Sequence, residues 1–154
     1  MTDNPAPKGS PRLTTFFTTD DAAAAIDFYT GVFGAEVTAR FDGPDGKVAH
    51  AELRLGDAVF QLGEAAPDAG LVPPPAEGNA FTMTFWTPDP DGVFERAVAA
   101  GATAVSAVDD VFSGDRMGVI RSPGGIRWCL ARHDRDVSPA EIAAAAEKWM
   151  AENS

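Results

Sequence analysis

An α+β protein built from two tandem βαβββ modules is the fold this 154-residue sequence predicts, and three observations predict it. The order strand, helix, strand, strand, strand runs over residues 12–62 and again over residues 80–132. The two helix exits align almost residue for residue, Phe33-Gly34-Ala35-Glu36-Val37 against Ala100-Gly101-Ala102-Thr103-Ala104-Val105. Between the copies, residues 63–79 contain three consecutive prolines, Pro73 to Pro75, and no periodicity, which marks a linker. A repeat of this length means two supersecondary units that bury their faces together. The length suits one compact domain, with a C-terminal helix over residues 136–152 completing it.

The first module opens with residues 13–19, rich in Thr and Phe and suited to a strand. Asp20-Asp21 then supplies an N-cap and early negative charge for a helix over residues 22–33. Ile26, Tyr29, Val32 and Phe33 recur at helical spacing, and Gly34 ends the helix. Strands follow at 36–41, 48–55 and 58–62, with Pro44-Asp45-Gly46 and Gly56-Asp57 as the turns of a meander.

The second module begins with a strand at 81–87. Asp89-Pro90-Asp91 caps a helix to Ala100 whose buried stripe is Val93, Phe94, Ala97 and Val98. Strands at 103–108, 116–121 and 126–132 complete it, with Pro123-Gly124-Gly125 as the last hairpin turn. Ser138, Pro139 and Glu141 form a capping-box pattern for the final helix. The apolar stripe of that helix, Ile142, Ala145, Ala146 and Trp149, must dock on the body or on a second subunit.

Bulk properties narrow the function. Acids outnumber bases 23 to 12 and the net charge is −11, which argues against nucleic acid because phosphate binding needs clustered Lys and Arg. Such a field attracts cations, including cationic small molecules. No uncharged stretch, residues 78–88 included, is long enough to span a bilayer, so no membrane association is expected. The first eleven residues lack an apolar run and do not read as a secretory leader, so the cytoplasm is the expected compartment. One cysteine excludes an internal disulfide framework and a cysteine-only zinc site.

The duplicated plan, with Ile26-Asp27-Phe28-Tyr29 followed by Phe33-Gly34-Ala35, resembles the vicinal oxygen chelate superfamily. That group includes glyoxalase I, bleomycin and fosfomycin resistance proteins and extradiol dioxygenases. Three stretches are similar to its PhnB-like branch: Asp45-Gly46-Lys47-Val48-Ala49-His50-Ala51-Glu52-Leu53, Gly114-Asp115-Arg116-Met117-Gly118, and Ser122-Pro123-Gly124-Gly125-Ile126-Arg127-Trp128. The resemblance covers residues 12–140 and implies two curved half-sheets forming a concave, partly open β-barrel. It also implies a homodimer. Metal-dependent members place four ligands on the first and fourth strands of each module. By strand register those positions are Thr14, Gln61, Thr82 and Cys129 here. A divalent ion wants imidazole, carboxylate or thiolate donors, so no metal and no other cofactor is expected.

Strand alternation puts His50, Glu52 and Arg54 on one face and Ala49, Ala51, Leu53 and Leu55 on the other, towards the helices. His50 and Glu52 are candidates to orient a substrate, shuttle a proton, or hold a metal in a non-standard place with Gln61; they also fit a hydrogen-bonded pair that serves only the fold. Trp86 shares a face with Thr82 and Thr84 and suits stacking on a planar or cationic ligand, with Phe16 as an opposite wall or as core filler. Arg116 is a candidate for an anionic group or for a partner of Glu52, against a plain strand-end salt bridge. Cys129 faces the cavity or behaves as a small buried hydrophobe. His133 reads as a surface residue, and no serine or cysteine has a recognisable base beside it.

The expected ligand contacts are therefore His50, Glu52, Gln61, Thr82, Trp86, Arg116 and Cys129. They belong to a small-molecule-binding protein that sequesters a drug or metabolite without a metal. The competing readings are a lyase, isomerase or other enzyme using His50 and Glu52 as an acid–base pair or unconventional ligands of a divalent metal, and a scaffold with a vestigial pocket.

Overall fold

A computed structural model describes residues 5–154. Residues 1–4, part of the stretch read above for a leader, lie outside the described residues. The chain forms two compact units. One comprises residues up to Ala80 together with Ser122–Ile126, and the other Phe81–Arg121 with Arg127–Ser154.

In the first unit the elements are β1 (Thr15–Thr19), α1 (Ala22–Phe28), β2 (Glu36–Asp42), β3 (Val48–Leu55) and β4 (Ala58–Glu64). They form an open sheet in the order β1-β4-β3-β2, with β1 parallel to β4 and the other pairs antiparallel. Period-two alternation turns Phe17, Phe60, Leu62, Ala51 and Leu53 to the buried side, with Ala22, Ala25, Ile26 and Tyr29 of the helical segment also buried. Asp21 accepts from the Ala24 amide at 2.9 Å, and Glu64 at the end of β4 accepts from the Ala22 amide at 2.8 Å. Two carboxylates thus satisfy the first free donors of α1 and complement its dipole.

The helix expected over residues 22–33 differs in its second half. From Tyr29 to Phe33 the turn widens to π geometry, and Gly34, at φ 75°, closes it. The widened turn keeps Phe28, Tyr29, Val32 and Phe33 buried together, with Tyr29 edge-on to Phe17, Phe28 and Phe60. The Tyr29 hydroxyl reaches Ser122 Oγ at 2.9 Å, inside the same unit. Residues 63–79 are less irregular than expected. β4 extends through Glu64, a 3₁₀ turn spans Pro67–Ala69, Ala66 bridges Leu71, and Thr18 Oγ1 donates to Val72 O at 2.5 Å.

The second unit repeats the order: β5 (Met83–Trp86), α2 (Pro90–Ala99), β6 (Thr103–Asp110), β7 (Asp115–Arg121), β8 (Arg127–His133) and α3 (Pro139–Glu152). Its sheet runs β5-β8-β7-β6, again with one parallel pair. Trp128, Leu130 and Ile120 on the sheet and Val93 and Ala97 on α2 are buried. β5 is shorter than the expected strand because its only partner, β8, begins at Arg127. Asp89 caps α2 through the Gly92 amide at 3.0 Å, and the capping box of Ser138 and Glu141 opens α3 as expected.

α3 differs from expectation in one respect. Ile142, Ala145 and Ala146 of its stripe are half-buried, but none of its residues is fully buried and Trp149 and Met150 are more than half exposed, so the unit that carries the helix covers its stripe only in part. Among the described residues no helix is long and apolar enough to cross a membrane.

Candidate functional site

The sheet face turned away from α1 carries three of the expected contacts. Register places Phe16 beside Gln61, Gln61 beside Glu52, Glu52 beside Ala39, and His50 beside Phe41. The imidazole of His50 lies between two phenyl rings. Its centroid is 5.8 Å from Phe16 and 5.4 Å from Phe41, at interplanar angles of 14° and 16°. Phe16 stands on β1 and His50 on β3, with β4 between them. The rings meet because the intervening position is Gly63: a Cβ there would sit 3.2 Å from Phe16 Cζ and 2.5 Å from Ala49 O. Phe41 is 61% exposed and forms the open end of this three-ring stack.

Glu52 is engaged from both sides. Thr38 Oγ1 on β2 donates to Oε1 at 2.8 Å, and Gln61 Nε2 on β4 donates to Oε2 at 3.1 Å. These two donors, Thr38 first, hold the Glu52 carboxyl below the usual carboxylate range. His50 and Glu52 share a face as alternation requires, but no hydrogen bond joins them among the described residues. The ring is held by aromatic faces and the carboxylate by neighbouring strands. The inward set on β3 also differs from expectation. Ala51 and Leu53 are fully buried, but Ala49 is exposed and Val48 is buried in its stead, because the pairing slips where Phe41 meets His50 and Asp42 meets Val48.

In the second unit, Thr84 pairs with Cys129 and Trp86 with Ala131, while Met117 and Val119 of β7 flank Ala131 and Cys129. These side chains share the face opposite α2. Thr82 lies just before β5, and its hydroxyl accepts from Arg127 Nε at 2.9 Å. Cys129 is buried with its thiol 3.8 Å from Met117 Sδ, and burial pushes the thiol pKa up. Trp86 is 58% exposed and, with Thr87, Pro88, Ala131, Arg132 and His133, lines a cleft of about 420 Å³.

Arg116 is not brought to that face. It points the other way, donating from Nε and Nη2 to both Asp91 oxygens on α2 at 2.8 and 2.6 Å and from Nη1 to Asp110 at 2.9 Å. Both its guanidinium edges are engaged, and its partner is Asp91, not Glu52. The salt-bridge reading of this residue is the one the geometry gives.

The four superfamily ligand positions do not fit a divalent ion by donor chemistry. Thr14 and Thr82 offer only neutral hydroxyls, the latter already accepting from Arg127. Gln61 offers only a neutral amide oxygen, and Cys129 is a buried thiol held protonated. Among the described residues no three His, Cys, Asp or Glu side chains come together in a metal-binding group.

Sequence reasoning missed Phe41 and Gly63. Phe41 shows only as the last aromatic of a strand. The role of Gly63 depends on a β1–β4 adjacency that no local pattern contains. Asp115 and Asp136, which embrace His133, were also missed: Asp115 lies 18 residues away on the neighbouring strand, and Asp136, three residues on, is in a strap with no periodic pattern.

Two open four-stranded sheets, each a βαβββ module with a single parallel pair, define the class of protein. The sequence profile of the Glyoxalase/Bleomycin resistance protein/Dioxygenase superfamily matches residues 13–130, and the chain belongs to that superfamily. It is 40% identical over 139 residues to an uncharacterized protein of Mycobacterium bovis, covering 88% of this chain and 91% of that one. It is 30% identical over 120 residues to the anthracycline biosynthesis protein DnrV of Streptomyces peucetius, covering 73% of this chain but only 43% of that longer protein. Among solved structures it is similar to TioX from Micromonospora sp. ML1, with a TM-score of 0.61, 24% identity, and coverage of 79% of this chain and 97% of that one. A PhnB protein from Bacillus cereus matches at a TM-score of 0.60 and 21% identity, over 79% and 99% of the two chains. These structural likenesses show the fold.

Proposed function

We propose that this chain is a small-molecule-binding member of its superfamily that takes a planar aromatic ligand by stacking and uses no metal. The observation that carries the reading is the Phe16–His50–Phe41 stack, with Phe41 largely exposed at its open end. A ring laid on Phe41 extends a stack whose geometry is already fixed, so little ordering cost remains on binding. Glu52, kept anionic beside the stack, and the net charge of −11 favour a ligand carrying positive charge. Similarity to a protein named for anthracycline biosynthesis supports a fused-ring ligand. Thr82, Trp86 and Cys129 offer a second aromatic-bearing face on the other unit, and Arg116 has no part in binding.

The enzyme reading with His50 and Glu52 as an acid–base pair is disfavoured. Glu52 is engaged by two donors that favour its charged form and so make it a poor base, and no hydrogen bond joins it to His50 among the described residues. A cytoplasmic homodimer is part of the proposal, since a second copy would cover the apolar stripe of α3. Light scattering on the purified chain tests it, and a strict monomer would remove that part.

The test of binding is a titration with proflavine, a planar cationic dye. Saturable one-to-one binding is expected, weakened at least about threefold in Phe41→Ala and in His50→Ala, in line with the worth of an aromatic pair. No saturable binding, or binding indifferent to both substitutions, would overturn the assignment. Elemental analysis after dialysis against trace divalent ions addresses the metal, and near-stoichiometric metal would defeat the metal-free reading.

A further inference from the structure

We propose that His133 is a protonation-gated latch that ties the C-terminal arm, residues 134–152, to the turn joining β6 and β7. At the end of β8 the ring reaches both ways. Nδ1 is 2.7 Å from Asp115 Oδ1 on β7, and Nε2 is 2.9 Å from Asp136 Oδ1 in the strap before α3. Only the imidazolium can donate from both nitrogens at once. The two carboxylates, Asp115 first, accordingly raise the His133 pKa above its ordinary value.

The remaining contacts show what the latch controls. The strap is already drawn against the turn, since the amides of Asp134 and Arg135 both donate to Gly114 O, at 3.0 and 3.1 Å. Gly114, at φ +89°, lets it approach so closely that a Cβ there would strike Arg135 O and Val137 Cγ2. Asp134 is taken by Arg132 at 2.6 Å, and Arg116 and Asp91 are paired with each other on the far face. Beyond Arg135, the strap is held by the His133–Asp136 contact and by Val137, whose Cγ2 lies over Gly114; of the two, only the first can respond to pH. α3 buries none of its own residues fully, so the strap is a principal tether of its placement.

The two halves of the latch are unequal. The Asp115 side chain is 13% exposed, and its second oxygen accepts from Ser113 Oγ at 2.6 Å; the Asp136 side chain is fully exposed. A neutral imidazole donates one hydrogen bond, and Asp115 keeps it. Asp136 then faces a nitrogen lone pair and lets go. A folded pKa raised above the unfolded value means that the latch is closed below the ordinary imidazole range and opens as pH rises through the folded value. Because His133 also walls the Trp86 cleft, opening changes that cleft as well.

The experiment uses the full chain, whose two histidines make imidazole NMR signals simple to assign. His133 is expected to titrate above about 6.5, the ordinary imidazole pKa. Amide exchange at residues 136–138, corrected for intrinsic rates, is expected to lose at least about tenfold protection between pH ~6 and pH ~8.5 in the native protein, in line with the loss of one hydrogen bond to a charged group. In His133→Gln the same amides should exchange fast at both pH values. Asp136→Asn should lower the His133 pKa and flatten the pH dependence. Equal protection at the two pH values in the native chain, an ordinary or lowered His133 pKa, or wild-type pH dependence retained in His133→Gln would each overturn the proposal.

Discussion

Replacing Gly63 by alanine tests the packing of the stacked face, because the substitution is small and the structure fixes its sign. A methyl group at Gly63 would lie 2.5 Å from Ala49 O, 3.1 Å from Ala49 C and 3.2 Å from the Phe16 ring. The ring can swing away, but the carbonyl is main chain, two residues from Ala51, which pairs with Leu62, and gives way only by a backbone shift. Overpacking of this kind costs about 1–3 kcal/mol. Against it stands the gain from stiffening the unfolded chain, about 0.5–1 kcal/mol for glycine to alanine where the backbone allows it. The balance is a loss centred on about 1 kcal/mol and reaching about 2.5 kcal/mol, and each kcal/mol lowers Tm by about 2–4 °C for a chain of this size. Gly31 is the control, since a Cβ there meets nothing within 4 Å and its φ is not positive. Gly31→Ala should raise Tm by about 2–4 °C. Trp86, Trp128 and Trp149 all lie outside the first unit, so the melts must be followed by far-UV circular dichroism and not by tryptophan fluorescence. If Gly63→Ala melts at or above the native temperature, the close approach and the role of Gly63 in joining Phe16 to His50 are both wrong.

Further expectations follow from single contacts. Tyr29→Phe removes a buried hydroxyl from Ser122, which keeps Ile126 O as acceptor at 3.2 Å, and should cost about 1 kcal/mol in urea unfolding. Glu52 has a depressed folded pKa, so the stability it contributes is present above about pH 4.3, the ordinary Glu value, and is lost as pH falls through the folded value. Glu52→Gln should therefore unfold with a shallower acid dependence; an unchanged acid profile would show that Thr38 and Gln61 do not favour the charged form. Native Cys129 should react with a disulfide reagent at least about tenfold more slowly than the urea-unfolded chain, because burial keeps it a thiol. Arg116→Ala should lower Tm by freeing Asp91 at the start of α2 and leave proflavine affinity unchanged.

What the sequence made legible was whatever local pattern encodes. The boundaries of β3, the capping box at Ser138 and the doubled module order follow from alternation, cap chemistry and repetition, and each stands where the sequence places it. The π turn at Tyr29–Phe33 was not legible. Its three buried side chains, Tyr29, Val32 and Phe33, sit at spacings an α-helix also uses, and what widens the turn is tertiary packing. The buried Val48 and exposed Ala49 were missed because a slip in pairing reverses alternation without leaving a mark on the strand itself. Arg116 shows the same gap at the site: parity fixes that it opposes Met117, but only the position of α2 reveals Asp91 as its partner.

His50 and Glu52 illustrate why shared parity is a weak argument for shared chemistry. Two residues apart on β3, they emerge on one face, and sequence alone suggests that they act together. In an antiparallel sheet, however, the nearest neighbours of a side chain are those across the ladder and not those along its own strand. For His50 the cross-strand neighbours are Phe41 and, over the gap at Gly63, Phe16; for Glu52 they are Thr38 and Gln61. The ring therefore has an aromatic environment and the carboxylate a hydrogen-bonded one, side by side. Stacking needs the first, and retention of negative charge beside it needs the second. A direct proton relay would need a hydrogen bond between the two residues, and none joins them among the described residues. The same residues that look like half of a catalytic site in the sequence thus divide, in the sheet, into a platform and a charge, an arrangement suited to holding a flat cationic molecule.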